Sequence, residues 1–324
     1  MKLIIQIPCF NEEKTLPATI KDLPKKIEGI DIIEYLIIND GSTDRTVEIA
    51  KANGVQHIVS FKRNKGLAAG FMAGIDACLR LGADIIVNTD ADNQYCGADI
   101  EKLIKPVVDG QADIVIGERP IDQIKDFSRV KKKLQRLGSW TVRVASKTNI
   151  PDAPSGFRAY SREAALKLNV LSEYTYTLET IIQAGRKNMA ITSVPIMTNA
   201  ELRKSRLFKS MYAYIRRSVL TILRIFMMYK PLKFFMYMGG FIFTLGILVG
   251  IRFLYFYIKG NGSGHIQSLI LMAVLMLIGF QTGVIGLQAD LIAANRKILE
   301  DVQYRVRKME YEMDKVANSS KNNK

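Results

Sequence analysis

Two carboxylates separated by a single residue, Asp90 and Asp92, stand where the apolar β-branched run Ile85, Ile86, Val87 stops. A run this short reads as a buried strand of a parallel sheet, and such sheets carry their chemistry at the carboxyl ends of the strands. In an extended segment the side chains at i and i+2 point the same way, so Asp90, Asp92 and Gln94 are expected to converge on one ligand. The ligand that suits them is a hard divalent cation. Mg²⁺ or Mn²⁺ takes oxygen donors, keeps open positions and commonly completes its shell with substrate phosphates. Taken alone, an Asp-x-Asp pair reads equally well as solvated turn residues.

The elements around the pair favour the first reading. Residues 3–7 predict a strand that Pro8 ends, followed by Cys9-Phe10-Asn11-Glu12-Glu13 and a helix over 15–27. Asn11 and Glu12 are site candidates or plain helix-start residues. A second strand, 32–38, ends in Asn39-Asp40-Gly41-Ser42-Thr43-Asp44-Arg45-Thr46, so Asp40 is again a carboxylate at a strand's carboxyl end. A third strand, 56–61, leads through Gly66 to a helix with small residues at Ala69, Gly70, Ala73, Gly74 and Ala77. No Walker pattern accompanies them, so they predict close packing on a sheet in preference to a phosphate cradle. A fifth strand, 113–116, runs into Gly117-Glu118-Arg119 and brings a guanidinium to the same rim. Strands alternating with helices in this way predict an α/β fold, a mostly parallel sheet covered on both faces.

The 324 residues suffice for about two domains, or one large domain with an appendage. The formal charge, 46 − 31 = +15, would suit nucleic acid or anionic lipid. Its placement selects lipid: Arg203, Lys204, Arg206, Lys209, Arg216, Arg217 and Arg224 gather just ahead of a long apolar region, the cytoplasmic flank of a membrane protein. A nucleic-acid binder would instead carry a basic aromatic face on its globular part. Cys9, Cys78 and Cys96 match no ligand spacing and read as reduced thiols, and His57 and His265 are isolated and read as structural. The apolar run at 1–7 is too short for a signal peptide.

Residues 207–229 mix bulky apolar side chains with Arg and Lys at helical intervals, the pattern of an interfacial helix. Residues 234–251 make one bilayer span, extended over 253–258 past Arg252, which can snorkel or pair. After the turn-rich linker at 259–264, residues 269–292 make a second span, although a buried soluble helix pair has the same composition. The expected plan is a catalytic domain over 1–200, interfacial helices over 201–232, a two-helix transmembrane hairpin over 233–292 and a helical tail over 293–324. Catalytic domain and tail then both lie on the cytoplasmic side. The tail carries apolar residues at Ile298, Val302, Val306 and Met309, which suit a helix or a homo-oligomer contact, and 318–324 is expected to be disordered.

With Pro8-x-x-Asn11-Glu12, Asp40-Gly41-Ser42-x-Asp44-x-Thr46, Asp90-x-Asp92-x-Gln94, Gly117-x-Arg119 and Ser155-Gly156-Phe157-Arg158 in this order, nearly the whole chain resembles the family-two glycosyltransferases of GT-A fold. It is most similar to their polyprenyl-phosphate branch, the dolichyl-phosphate mannose synthases and the undecaprenyl-phosphate glucosyl- and aminoarabinosyl-transferases. The resemblance implies that Pro8, Phe10, Glu12, Asp40 and Asp90 bind the nucleotide, and that Asp90, Asp92 and Gln94 hold Mg²⁺ or Mn²⁺. It further implies catalytic roles for Asp92, Arg119, Arg158 and Glu179, with Arg119, Ser155 and Arg158 facing phosphate. Lys133 and Arg136 join the acceptor site, or belong with Lys131 and Lys132 to a solvated helix face. Asn39 and Asn93 depart from the commoner Asp and Leu of the family, and Arg203-Lys204-Ser205-Arg206 keeps the charge of a basic family loop without its Gly.

The implied reaction is metal-dependent, inverting transfer of a sugar from a nucleotide sugar donor, a UDP-linked hexose such as UDP-glucose, to polyprenyl phosphate in the bilayer. A GDP-mannose donor and a non-catalytic sugar-nucleotide-binding scaffold are the alternatives. A processive polysaccharide synthase would carry Gln-x-x-Arg-Trp, which the single tryptophan, Trp140, does not complete. The acceptor phosphate is already anionic near neutral pH, so no strong general base is needed, in keeping with the isolated histidines.

Overall fold

The computed structural model describes residues 1–120, 148–170, 176–199, 230–260 and 265–322, with single positions at 142, 143, 146, 224 and 227. The run Lys131, Lys132, Lys133, Arg136, the basic loop at 203–206 and nearly all of the expected interfacial helix lie outside the described residues. The chain divides into two units, one of residues 1–216 with 301–324, the other of 217–300.

The first unit is built on seven strands: β1 (Lys2–Cys9), β2 (Ile32–Asn39), β3 (His57–Ser60), β4 (Ile85–Asn88), β5 (Ile114–Glu118), β6 (Arg158–Ser161) and β7 (Ile191–Pro195). They lie in the order β3-β2-β1-β4-β6-β5-β7. All neighbours are parallel except β6, which runs antiparallel between β4 and β5 and pairs Asn88 with Arg158. The sheet is thus mostly parallel, as expected. β6 escaped the sequence reading because it is four residues long and opens on a buried arginine. Leu3, Ile4, Ile5, Leu36, Ile37, Ile38, Ile86, Val87 and Ile114 are fully buried, so consecutive residues are covered on both faces.

The helices of this unit are α1 (Leu16–Asp22), α2 (Thr46–Ala52), α3 (Leu67–Arg80), α4 (Ile100–Val108), α5 (Arg162–Lys167) and α6 (Thr177–Arg186). α1 stops short of the expected residue 27 because Pro24 forces its predecessor out of helical geometry; Leu23 is extended, at φ −70° and ψ 140°. On α3 the small residues do pack on the sheet: a Cβ at Gly74 would stand 2.8 Å from Ile38 Cδ1, and one at Gly70 3.7 Å from Ile38 Cγ2.

The second unit is dominated by two apolar helices, α7 (Pro231–Ile258) and the first part of α8 (Ile266–Asn322). Both are long and apolar enough to cross a membrane, and their most apolar windows are only 11% and 17% buried. A core helix pair of a soluble protein would be buried, whereas here Tyr237, Phe241, Leu277 and Phe280 point outward. The helices approach through glycine: a Cβ at Gly239 would lie 2.7 Å from Gly279 O and 3.1 Å from Gly283 N.

α8 crosses position 293 without a break and continues to Asn322, in place of the disorder expected from 318. Beyond residue 286 the chain has no Gly or Pro to stop it, and the i,i+4 pairs Arg296–Glu300 and Arg305–Asp301 support it.

Candidate functional site

The exits of β1 and β2 are tied to one another by side chain to backbone bonds. Asn11, at φ 55°, donates its N–H to Ser42 Oγ (3.0 Å), and its side-chain oxygen accepts from Thr43 N (2.8 Å). Glu12 N donates to Thr46 Oγ1 (2.9 Å), and the Asp44 carboxylate accepts from Glu13 N (3.1 Å) and Thr46 N (3.0 Å). Burial works against the Asp44 charge, but hydrogen bonds, led by that from the Thr46 hydroxyl and followed by these backbone N–H groups, hold its pKa below the ordinary value. Asp40 accepts from Lys65 N (2.7 Å) and Gly66 N (2.9 Å), which fixes the entry to α3. Gly41, at φ 71°, admits no side chain because a Cβ would run into the backbone of Arg63 and Asn64.

Phe10 is 41% exposed at this rim, Pro8 half-buried, and Glu12 and Asp40 almost wholly buried. Glu12 Oε2 accepts from Thr15 Oγ1 at 2.8 Å. The Cys9 thiol sits among them; burial first, then the charges of Glu12, Asp44 and Asp90, push its pKa well up. Acidic residues from three strand exits thus act on one buried thiol.

After β4 the chain does not stay extended. Residues 91 and 92 form a turn, Asn93 takes φ 58°, and Asp92 Oδ1 accepts from Gln94 N at 3.2 Å. The expected alternation of Asp90, Asp92 and Gln94 along a strand is thus replaced by a tight turn. Asn93 explains its departure from the family's Leu, since asparagine tolerates left-handed backbone better than leucine. Tyr95 follows, 4% exposed and bridged to Thr198.

The Ser155-Gly156-Phe157-Arg158 segment lies against this turn. Gly156 N donates to Tyr95 Oη (3.1 Å), and Gly156 O accepts from Asn88 Nδ2 (2.9 Å) and Tyr176 Oη (3.3 Å). Gln6 Nε2 donates to Asn88 Oδ1 (3.0 Å), so a buried polar chain runs from β1 through β4 to Gly156. A Cβ at Gly156 would meet both Asp90 oxygens, at 3.1 and 3.2 Å. Phe157 stacks on Tyr95 with centroids 4.9 Å apart, and Tyr176 on Phe71 at 4.0 Å.

Arg119 forms a bidentate pair with Asp152, Nε to Oδ2 at 2.8 Å and Nη2 to Oδ1 at 3.0 Å, with the two side chains 10% and 0% exposed. Burial opposes its charge, yet Tyr95, Asp152 and Asp90 raise its pKa, so the guanidinium stays charged.

Arg158 departs from expectation. It is fully buried, and its guanidinium donates to Ser155 O (2.7 Å), Thr177 O (2.8 Å), Thr180 Oγ1 (2.6 Å) and Ala153 O (2.7 Å). Four bonds to protein acceptors leave it holding loops together instead of facing phosphate. Ser155 is likewise fully buried, and its Oγ has no hydrogen-bond partner among the described residues. Glu179 lies on α6, 6% exposed, and accepts from Gln183 Nε2 at 3.4 Å. Lys133 and Arg136 fall outside the described residues.

Asn88, Tyr95, Tyr176 and Asp152 were not singled out in the sequence. The one signal was Asn88 itself, an amide closing the apolar run Ile85-Ile86-Val87, where a buried polar group needs partners. Among the described residues no three His, Cys, Asp or Glu side chains form a closed metal cage. Two half-buried aspartates on one turn match instead a cation that takes one or two carboxylates and fills its shell from water and substrate phosphate.

The family model for Glycosyl transferase family 2 matches residues 4–168, from β1 through α5. The chain is 32% identical over 217 residues to the UDP-N-acetylglucosamine–dolichyl-phosphate N-acetylglucosaminyltransferase of Methanococcus voltae, covering 59% of this chain and 83% of that one. It is 27% identical over 218 residues to the undecaprenyl-phosphate mannosyltransferase of Micrococcus luteus, covering 64% and 88%. Glucosyl-3-phosphoglycerate synthase from Mycobacterium tuberculosis, solved with Mn²⁺, UDP and glucosyl-3-phosphoglycerate, superposes with a TM-score of 0.54 at 18% identity, over 70% of this chain and 78% of that one. The matched span runs from the β1 exit through the Asp90 turn to the Gly156 segment, and on that footing the chain belongs to glycosyl transferase family 2 and is a glycosyltransferase.

Proposed function

We propose that the protein transfers a sugar, with inversion, from a nucleoside diphosphate sugar to the phosphate of a polyprenyl lipid at a membrane. A bond forms between an acceptor phosphate oxygen and the anomeric carbon as the bond from that carbon to the diphosphate breaks. The observation that carries this reading is the Asp90–Asp92 turn packed on the Gly156 backbone, in a chain that also has two helices of membrane-spanning length. The acceptor is supported by the dolichyl-phosphate and undecaprenyl-phosphate transferases to which the chain is similar.

Asp90 and Asp92, with Gln94, would hold Mg²⁺ or Mn²⁺, and the structural neighbour with Mn²⁺ and UDP supports that choice. When bound, such an ion offsets the negative charge that builds on the departing diphosphate. Pro8, Phe10, Glu12 and Asp40 border the nucleotide. Phe10 offers an exposed ring for a base to stack on. Arg119, oriented by its bidentate pair with Asp152, lends positive potential to the phosphates. Arg158 acts at one remove, by fixing the loop that bears Ser155 and Gly156. Glu179, Lys133 and Arg136 keep their proposed places near the sugar and the acceptor.

The proposed donor is a UDP-linked hexose such as UDP-glucose, and the Methanococcus voltae transferase supports a UDP-linked sugar. GDP-mannose is the second reading, favoured by the mannosyltransferase of Micrococcus luteus. The proposed orientation has the catalytic domain and the tail both on the cytoplasmic side, which two spans and the basic residues ahead of them support.

The test is full-length protein in detergent with polyprenyl phosphate, Mn²⁺ or Mg²⁺, and a panel of labelled nucleotide sugars. One donor is expected to label the lipid, and Asp92→Ala to lower transfer by roughly 100-fold or more. Undiminished transfer by Asp92→Ala removes the catalytic assignment, and no labelled lipid with any donor removes the reaction.

A further inference from the structure

Among the described side chains, the tail of α8 is held to its own catalytic domain chiefly through Tyr304, Arg307 and Tyr311. Tyr304 Oη donates to Glu163 (2.8 Å), and Arg307 pairs with Asp76 (3.1 Å) and donates to Leu168 O (2.6 Å). Arg162 lies over the Tyr311 ring, 4.8 Å from its centroid. These three tail residues are spaced three and four apart.

A second set with the same kind of spacing is left over. Val302, Val306, Met309 and Met313 are 50%, 43%, 54% and 64% exposed. At 100° per residue they centre roughly 160° around the helix from Tyr304, Arg307 and Tyr311. In sequence Leu299 and Val316 continue the alternation of three and four at either end. A seven-residue apolar repeat of this type is the seam of a coiled coil, with Val306 and Met313 at a, and Val302 and Met309 at d.

We propose that this seam pairs with the same seam of a second copy of the chain, as a parallel two-stranded coiled coil in register. Two features select that occupant. Branched Val306 at an a position favours two strands. In a parallel pair, the g position of one helix meets the e position of the next heptad on the other. Here those positions are Arg305 and Glu310, of opposite charge, and the twofold axis makes the pair twice. Two and a half heptads are short for a free coiled coil, but anchoring both chains in one membrane raises their effective concentration.

The test uses full-length protein in detergent. Light scattering is expected to give the mass of a dimer. Arg305→Glu or Glu310→Arg alone should weaken it roughly tenfold, because two symmetry-related pairs turn repulsive together. The double exchange should return dissociation to within about twofold of the parent, which a mere loss of helix would not allow. With Cys96→Ser as background, Met309→Cys should form an intermolecular disulfide on mild oxidation and Lys308→Cys should not. A monomer at every concentration, a double exchange no better than the single ones, or equal cross-linking at 308 and 309 would each overturn the proposal. So would a Met309→Cys thiol shielded only when anionic vesicles are added, which would assign the seam to lipid.

Discussion

Gly156 lies so close to Asp90 that a Cβ on it would stand 3.1 and 3.2 Å from the two carboxylate oxygens. Contact at that range is tighter than van der Waals packing allows without movement. The peptide of Gly156 is itself immobile, held by Tyr95 on its N–H and by Asn88 and Tyr176 on its carbonyl. A methyl group there must therefore push on the carboxylate and on the Tyr176 hydroxyl, which would also lie 3.1 Å from it.

Gly156→Ala is expected to fold, since Gly156 is not among the residues with positive φ. Displacing Asp90 by a fraction of an ångström should lower kcat by about 10- to 100-fold. The concentration of Mn²⁺ or Mg²⁺ needed for half-maximal rate should rise. Steady-state rates over a metal titration, beside thermal unfolding, check it; a parent-like metal dependence would show that the contact does not position Asp90.

Arg158→Lys separates a structural from a phosphate-binding arginine. Lysine cannot reproduce four bonds from one planar group, and the change strands buried carbonyls of Ser155, Ala153 and Thr177. The expected loss is about 3 kcal/mol or more of stability by denaturant titration. A phosphate ligand would instead raise the acceptor KM and leave stability alone.

Tyr95 gives a pH signature. Burial, with Asp90 adding to it and Arg119 opposing, pushes its phenol up to about 12. The unfolded phenol loses its proton near 10, so Tyr95 contributes stability that is complete below about pH 10 and is lost as pH rises toward 12. The contribution is of the order of 2–3 kcal/mol. Unfolding titrations from pH 8 to 11.5 should show this loss, and Tyr95→Phe should remove that component while also lacking the bond to Gly156 N.

Gly239→Leu probes the hairpin. Its Cβ would stand 2.7 Å from Gly279 O, a backbone atom that cannot turn aside, so α7 and α8 must separate. Helix unfolding by circular dichroism in detergent should shift to lower temperature, at a cost of roughly 1–3 kcal/mol. Gly240→Leu, at a position with nothing within 4 Å, is the matched control and should leave the transition in place.

Much of the fold was legible because strands buried on both faces must be written in unbroken apolar runs, and each run here ends in a polar motif. The five expected strands fall within a residue or two of β1 to β5, and the two apolar stretches became α7 and α8. The family followed from the order of the motifs. What the sequence could not supply is which polar residues look inward. Arg119 and Arg158 are the same side chain at the ends of adjacent strands. One pairs with the carboxylate of Asp152 and the other is spent on four carbonyl and hydroxyl oxygens, because only Arg158 stands on a central antiparallel strand with loops closing over it. Asn88 and Tyr176 escaped notice for the matching reason: hydrogen bonds between residues 88 apart depend on which strands the fold makes neighbours. Local chemistry in the chain determined the elements and their ends. Tertiary packing decided which of their polar groups were left to face a ligand, since a buried donor or acceptor takes the nearest partner the fold provides.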